Sequence, residues 1–505
     1  MAVDSRPGAA WRRAGLSRPG HAAGALCEPL FPRLTPSPGC GAGPRRTGGP
    51  NARAGSSSGR RRGGAGGVRR RLTRLPRRLL FRPHLALLLF GSLSLISGWL
   101  WFGTGLFLGN GSGLAVFGLS LAATLVAALA LLRRRLQLGG LLLLLVATVV
   151  VPTLALIALR WKTGAPILMH DGAYQTEEAM RLLLSGLDPY GVDYTTSSMR
   201  LWHWYVNTPI DPSLYHYVYP PAVFLLPLPA YALAQWVGVP FDVRLIDLMV
   251  EVVAAVAILK LPWRWEWRYL VLAALFLDPF FYLAQGRNDV LFLAPVLLGV
   301  LAWERDRPLL ASLAFGAAAA FKPFAVFFLP LVALLLWRRS RAERWSTPRR
   351  LSVLAGLVLP GMVTIVPFFL WNPAAYWADT VSFVSGGDPH RYPIQGYGFS
   401  EILLLLKIIP SPSAYFPFSI LQVLAALPAL AFGIRRVVAR PALATALCWA
   451  TASLALFLFF SRFVNDNYLA ALLFLAVLAG ATRRGARGSG QKADRAITTG
   501  SAAAA

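Results

Sequence analysis

Asp171 is the acidic residue whose position in the sequence best suits catalysis. It follows the apolar segment 138–159 and stands in the run His-Asp-Gly-Ala-Tyr of residues 170–174. A carboxylate at a membrane boundary lies at reduced dielectric, which favours proton uptake and suits a general base. The same side chain could instead cap a helix that begins near Gly172. The spacing alone leaves both interpretations open.

Four cations could bind an anionic group, because each lies in or beside an apolar segment: Arg287, Lys322, Arg391 and Arg462. Charges in such places are costly, so each is a functional hypothesis by default. Lys322 could instead extend to the membrane interface, although its place in mid-segment argues against this. Arg391 could be an ordinary loop charge, and Arg462 could pair with Asp466.

Polar and aromatic side chains near these positions could bind a sugar through hydrogen bonds and ring faces. The candidates are Glu178, Tyr190, Tyr219, Asn288, Asp289 and Asp466. The tyrosines could equally belong to the aromatic belt that collects at headgroup level in membrane proteins. Glu178 could be a second acid or a charge on a helix face. Glu251, inside an apolar segment, could pair with Arg244 or Lys260.

The composition indicates a membrane protein. Of 505 residues, 56% are apolar and 14% charged, with a mean hydropathy of +0.54. A soluble domain carries about 25% charged residues, and the apolar residues here come in blocks of about 20, the length that crosses a bilayer. The three cysteines, Cys27, Cys40 and Cys448, are too scattered for a disulfide framework or a metal cluster.

We therefore predict an all-α polytopic membrane protein with about 11–13 transmembrane helices. Residues 289–303 form a short apolar segment and 308–336 contains Lys322-Pro323, so we expect broken or re-entrant spans there. The candidate spans are 84–108, 112–132, 138–159, 219–237, 243–260, 268–284, 289–303, 308–336, 351–371, 415–434, 441–460 and 465–482.

The polar segments divide into tails and two outer loops. Residues 1–83 hold eighteen arginines against two acids, and they and residues 483–505 are predicted to be disordered cytoplasmic tails. Arginine runs beside the spans favour the cytoplasmic side, which places loops 160–218 and 372–397 together on the opposite face. Residues 174–186 predict an amphipathic helix on the membrane surface, and loop 372–397 has the composition of a lid.

Four motifs resemble those of membrane glycosyltransferases of the GT-C superfamily. Residues 170–190 are similar to their first extracytoplasmic loop, and 218–222 (VYPPA) resembles a Tyr/His-Pro-Pro motif. Residues 284–289 (AQGRND) and 316–323 (GAAAAFKP) are similar to segments of glycosyltransferase family 87. The motifs follow the family's order, and the likeness covers roughly residues 138–470.

The chain also departs from that family. Residues 84–137 hold two additional candidate spans before the Asp171 loop. Asp171 is followed by Gly-Ala, where many relatives have Asp-Glu, and no Asp-x-Asp pair stands nearby. The sequence therefore requires no cofactor and leaves the need for a divalent metal open. The resemblance implies that residues 138–482, with outer loops 160–218 and 372–397, form the catalytic domain.

The resemblance further implies transfer of a sugar, mannose in the first place, from a polyprenyl-phosphate donor to a lipid or glycan acceptor. The reaction would occur with inversion at the outer face of the plasma membrane. Asp171 would be the base, the four cations would bind the donor phosphate, and the polar candidates would bind sugar or acceptor. No nucleic-acid partner is expected. A lipid-linked sugar flippase or transporter and a non-catalytic scaffold are alternatives, although the long outer loop argues against the first.

Overall fold

The computed structural model describes residues 136–164, 169–201 and 211–502, together with positions 118, 122, 125 and 126. The basic tail 1–83 and the predicted span 84–108 lie outside these residues, as does most of the predicted span 112–132. The described part is mostly helical and contains almost no strand, which agrees with the predicted all-α class.

Eighteen α-helices follow one another along the described residues. They are α1 Gln137–Leu145, α2 Val151–Thr163, α3 Asp171–Leu184, α4 Ala222–Leu225, α5 Leu228–Val237, α6 Arg244–Leu259, α7 Trp265–Tyr282, α8 Val290–Glu304, α9 Pro308–Phe321, α10 Leu329–Ala342, α11 Thr347–Ala355, α12 Leu359–Trp371, α13 Pro373–Trp377, α14 Phe383–Ser385, α15 Phe399–Leu405, α16 Phe418–Ala439, α17 Leu443–Phe459 and α18 Asp466–Ala502.

Shorter elements connect or interrupt these helices. A π-helical turn, Val146–Val150, joins α1 to α2, and a second one, Ala378–Ser382, joins α13 to α14. Three 3₁₀ helices span Ser198–Leu201, Pro212–Leu214 and Pro323–Phe327. The two-residue strands β1 (Gln395–Gly396) and β2 (Phe463–Val464) pair in parallel, which ties the second outer loop to the residues before α18.

The main hydrophobic core lies among helices α6 to α10, α17 and α18. Helix α8 is buried on nearly all sides, as its continuous apolar sequence predicts. It packs against α9 where Gly299 meets Phe315, and a Cβ added at Gly299 would approach the Phe315 ring to 2.8 Å. Small residues permit such close helix contacts.

The structure differs from the predicted spans because several helices are interrupted where the sequence predicted continuous apolar segments. Among the described residues, only α16 is long and apolar enough by itself to cross a membrane, and α11 with α12, bent by 52°, meets the same test if they count as one span. The predicted span 308–336 consists of α9, a 3₁₀ helix and α10, because Pro323 and the extended backbone of Lys322 end α9. The predicted 11–13 spans are therefore not confirmed.

The first outer loop is folded around a cluster of aromatic side chains. Helix α3 begins three residues before the predicted start at 174, and it buries Ala179, Met180 and Leu182 against protein. The aromatic members of this cluster include Tyr190, Tyr194, Tyr217, Phe224 and Phe368. This packing holds the first outer loop in a fixed conformation. It thereby also fixes α3, whose first residue is Asp171.

Candidate active site

A cavity of about 440 Å³ lies where the start of α3 meets the loop before α8 and the end of α9. It brings together three of the predicted reactive residues, Asp171, Arg287 and Lys322. Of the predicted sugar or acceptor ligands, Tyr219, Asn288 and Asp289 also line it. Further polar lining residues are His170, Gln175, Ser213, Asn465 and Asn467.

Asp171 is the first residue of α3 and is 4% exposed. The N-cap position is His170, whose Nδ1 accepts from the Gly172 N–H at 3.1 Å. The Asp171 carboxylate accepts from the Gly172 N–H at 2.7 Å, and His170 Nδ1 lies 2.7 Å from the same oxygen, Oδ1. The prediction from sequence did not name His170 among the site residues, although its ring contacts the Asp171 carboxylate.

The loop of residues 284–289 is fastened to the start of α3. The His170 N–H donates to the Gln285 carbonyl at 2.5 Å. Gly286 has a φ of +89°, and a Cβ there would lie 2.7 Å from the Cβ of Ala173, so both the backbone conformation and the close approach require glycine. Arg287 follows directly and is thereby held near Asp171.

Arg287 is paired with residues at the start of α18. Its Nη1 donates to Asp466 Oδ1 at 2.8 Å and to Asn467 Oδ1 at 3.1 Å. Asp466 is therefore the partner of Arg287 and not of Arg462, and it does not line the cavity. This ion pair stands at the edge of the site, since the side chains of Arg287 and Asp466 are 21% and 47% exposed.

Lys322 is buried and faces the cavity from the break between α9 and the 3₁₀ helix. Its ammonium donates to Asp289 Oδ1, while Asn467 Nδ2 donates to Asp289 Oδ2. The rings of Phe324 and Tyr468 lie 5.8 and 5.6 Å from Nζ. With 7% exposure and a buried carboxylate partner, Lys322 does not extend to an interface.

Two predicted phosphate ligands do not line the cavity. Arg391 donates from Nε to the Asp388 carbonyl at 2.9 Å. Arg462 donates to the carbonyls of Tyr392, Pro412 and Ala414, and its side chain thus joins the second outer loop to the residues before α16. Burial, together with the charge of Arg391, lowers the pKa of Arg462 to about 10.

Two predicted sugar ligands also lie elsewhere. Glu178 pairs with Arg181 on α3 at 2.8 Å, as a helix-face charge would. Tyr190 lies in the aromatic cluster of the outer loop, where its hydroxyl donates to the Tyr219 carbonyl at 2.7 Å. The roles assigned to these side chains, and to Arg391, Arg462 and Asp466, stay predictions, but the cavity does not bring them together with Asp171.

A buried charge network lies behind the site. Arg160 binds both oxygens of Glu177 at 3.0 and 2.7 Å and Asp242 at 2.9 Å. Arg244 binds Asp242 and donates to the Ala284 carbonyl at 2.8 Å, which connects the network to the 284–289 loop. Burial raises the pKa of Glu177 against the effect of Arg160. Burial also works to raise the pKa of Asp242, but Arg244 and then Arg160, through their hydrogen bonds and charges, lower it.

Glu251 of α6 does not take part in this network. The suggested partner Arg244 is bound to Asp242 instead. Neither carboxylate oxygen of Glu251 has a hydrogen-bond partner among the described residues, although the side chain is 1% exposed. The competing acid Asp242 stands only two residues before Arg244, so this local pair was open to prediction from the sequence.

The two outer loops meet through His216. Its Nδ1 lies 2.8 Å from Asp379 Oδ1 and its Nε2 lies 3.1 Å from Asp388 Oδ1. Burial works against the charged imidazole, but the hydrogen bond and charge of Asp379, followed by those of Asp388, raise the pKa of His216. Burial raises the pKa of Asp379 to about 6, against the bonds from His216 and the Tyr217 N–H.

Apolar residues line another part of the cavity: Val326 and Phe327 of the 3₁₀ helix, Val423 of α16, and Phe457 and Leu458 of α17. The polar side chains of Ser419 and Gln422 of α16 line the cavity as well. Val326 and Val423 are 52% and 49% exposed. The cavity thus extends from the charged group around Asp171 to the surface of the helix that is long enough to cross a membrane.

Residues 217–398 match the model of glycosyltransferase family 87. The matched segment contains Tyr219, the 284–289 loop, Lys322 and the second outer loop, whereas Asp171 precedes it. Members of this family are typically membrane proteins. No curated protein and no solved structure matches the chain.

Proposed function

We propose that the chain is a glycosyltransferase that uses a polyprenyl-phosphate sugar as donor, which the match of residues 217–398 to the model of glycosyltransferase family 87 supports. The sugar that we propose is mannose, as the likeness to polyprenyl-phosphomannose-dependent enzymes suggests. The acceptor is a lipid or glycan at the extracytoplasmic face of the plasma membrane. The spans outside α16 belong to the same proposal.

The two-ended cavity is the observation that carries this proposal. A polyprenyl phosphate has a long apolar tail and an anionic head, and the cavity offers an apolar end at Val326 and Val423 and cations at the other. A nucleotide sugar would have no use for the apolar end. The lipid tail would lie along α16, and the phosphate would lie near Arg287 and Lys322.

Direct displacement fits the residues at the charged end. The acceptor hydroxyl oxygen forms a bond to the anomeric carbon, and the bond from that carbon to the phosphate oxygen breaks, so its electron pair leaves with the phosphate. Asp171 takes the hydroxyl proton as general base, and His170 stabilises the carboxylate that performs this step. Attack from the side opposite the phosphate inverts the anomeric carbon.

Arg287 and Lys322 would stabilise the departing phosphate without leaving their acidic partners. A guanidinium has five N–H donors and an ammonium three, whereas the ion pairs with Asp466 and Asp289 occupy only part of each. The partners hold the cations in place before the donor binds. Fixed cations at the position of developing negative charge lower the barrier most effectively.

The test is incorporation of labelled mannose from polyprenyl-phosphomannose by membranes that contain the full chain. The matched comparison is Asp171→Asn with Asp193→Asn, because Asp193 is an exposed carboxylate in the same loop. We expect Asp171→Asn to lower transfer by about 100-fold or more and Asp193→Asn to leave it unchanged. Equal transfer by the wild type and Asp171→Asn would remove Asp171 as base.

The donor is tested separately from the base. Polyprenyl-phosphoglucose and GDP-mannose replace polyprenyl-phosphomannose in the same assay. Transfer from the glucose lipid would correct the sugar and keep the donor class. Transfer from the nucleotide sugar alone would refute the donor class, and movement of a lipid-linked sugar across the vesicle without transfer would favour the flippase alternative.

A further inference from the structure

A cluster of side chains that could bind a metal ion lies outside the cavity, where the two outer loops meet. His216 comes from the first loop, and Asp388 and His390 come from the second. The ligand atoms that these three side chains can offer lie within 4.8 Å of one another. The structure assigns this cluster to a transition-metal ion, and we propose that it binds zinc and fastens the second loop over the site.

The geometry around His216 suits a metal ligand. Its Nδ1 contacts Asp379 Oδ1 at 2.8 Å, and Asp379 is 3% exposed. Histidines that bind metals usually donate their second ring N–H to a carboxylate, which fixes the tautomer and orients the ring. Asp379 is itself fixed by the Tyr217 N–H at 2.9 Å. With Nδ1 donating to Asp379, Nε2 presents its lone pair toward Asp388.

The distance between the first two ligands matches a tetrahedral site. His216 Nε2 lies 3.1 Å from Asp388 Oδ1. Two ligands that each lie about 2.0–2.1 Å from zinc at the tetrahedral angle are about 3.3 Å apart. A lone pair facing a carboxylate oxygen at this distance is repulsive unless a cation lies between them.

His390 supplies the third ligand from an exposed but ordered position. Its ring stacks on Tyr215 with centroids 3.9 Å apart and an interplanar angle of 8°. Its backbone N–H donates to Asp388 Oδ1 at 2.8 Å, which holds the two ligands of the second loop together. Two imidazoles and one carboxylate are ligands that zinc accepts.

The alternative is a proton. A protonated His216 could bridge Asp379 and Asp388 without any metal, and the ring of His390 would then only stack on Tyr215. Because the ring nitrogens of His390 take no part in a proton bridge, replacement of His390 by alanine distinguishes the two cases. The proposal does not depend on glycosyl transfer, since it concerns the joining of two loops and is measured by metal binding.

The test is zinc binding to the purified full chain in detergent, after chelator treatment, in competition with a chromophoric zinc chelator. We expect the wild type to bind one more zinc ion than His390→Ala, and Asp388→Asn to weaken that site by at least about tenfold. His390 is exposed and its ring contacts Tyr215, so His390→Ala should unfold only slightly below the wild-type temperature without metal. Zinc should raise the unfolding temperature of the wild type only.

Two controls make the result specific. His170→Gln removes a histidine from the cavity and should keep the same zinc stoichiometry. Zinc bound by His21, Cys27 or Cys40 of the N-terminal tail is common to all variants and cancels in the comparison. Equal zinc binding by the wild type and His390→Ala, or no binding by the wild type, would overturn the proposal in favour of the proton bridge.

Discussion

Replacement of Lys322 by methionine separates the structural role of its ion pair from a role in transfer. Methionine keeps much of the apolar length and removes the ammonium. Asp289, which is 1% exposed, then keeps only the bond from Asn467. A buried carboxylate that loses its charged partner costs about 3–5 kcal/mol of stability. We therefore expect Lys322→Met to lower the free energy of unfolding by about that amount.

Asp289→Asn is the second single variant, and together with Lys322→Met it forms a double-mutant cycle. In that single variant the ammonium can still reach polar groups of the cavity, so we expect a smaller loss of about 1–3 kcal/mol. In the double variant neither charge is left uncompensated. The combined loss should be smaller than the sum of the two single losses by at least about 2 kcal/mol, since residues in one ion pair are not additive.

Two measurements on the same four proteins decide the matter. Equilibrium unfolding in mixed micelles, followed by tryptophan fluorescence, gives stability, and label incorporation from the lipid donor gives transfer. We expect the double variant to regain stability but not transfer, because the phosphate has lost its cation. Lys260→Met, at an exposed lysine, is the control and should change stability by less than about 0.5 kcal/mol.

Either of two results would refute this reasoning. If Lys322→Met loses less than about 1 kcal/mol, the pair with Asp289 does not compensate a buried charge. If the double variant recovers both stability and transfer, Lys322 is only the structural partner of Asp289 and does not serve the donor phosphate.

Three further substitutions test how the site is positioned. Gly172→Ala should lower transfer by about 10-fold or more, because the new Cβ would lie 2.1 Å from the Tyr219 hydroxyl oxygen and would displace that side chain, which lines the cavity. Tyr219→Phe removes the hydroxyl and should restore part of the loss, and no loss would show that the Tyr219 side chain moves freely. Arg160→Met should reduce the free energy of unfolding by about 3 kcal/mol in the same micelle assay, and added Glu177→Gln should recover a part. Gly396→Ala, with φ +94° and no space before a β2 carbonyl, should cost about 1–3 kcal/mol and speed proteolysis of the second outer loop; unchanged cleavage would contradict this.

The placement of Asp171, Arg287 and Lys322 on one cavity followed from sequence only through the resemblance. Hydropathy places Asp171 and Arg287 at the ends of apolar segments and Lys322 within one, but it cannot say which ends meet. The meeting of these ends depends on a backbone bond from His170 to Gln285 and on the glycine at 286. Those features leave no signal in hydropathy.

Arg462 and Glu178 show the opposite limit. A buried arginine in an apolar context is expected to be functional, yet three backbone carbonyls far away in the chain can satisfy it, and a sequence cannot show them. Glu178 resolves into a helix-face pair with Arg181, which its spacing of three residues allowed. Span lengths were predicted least well, because prolines and extended residues divide apolar segments that hydropathy treats as continuous.

The bond from the His170 N–H to the Gln285 carbonyl has an evolutionary consequence. It joins two main-chain atoms, so no particular side chain is needed at either residue to maintain it. The distance between Asp171 and Arg287 is therefore preserved while neighbouring side chains change. Only the glycine at 286 is indispensable to this junction. Distant relatives could thus diverge almost completely around it and still keep the same separation of base and cation.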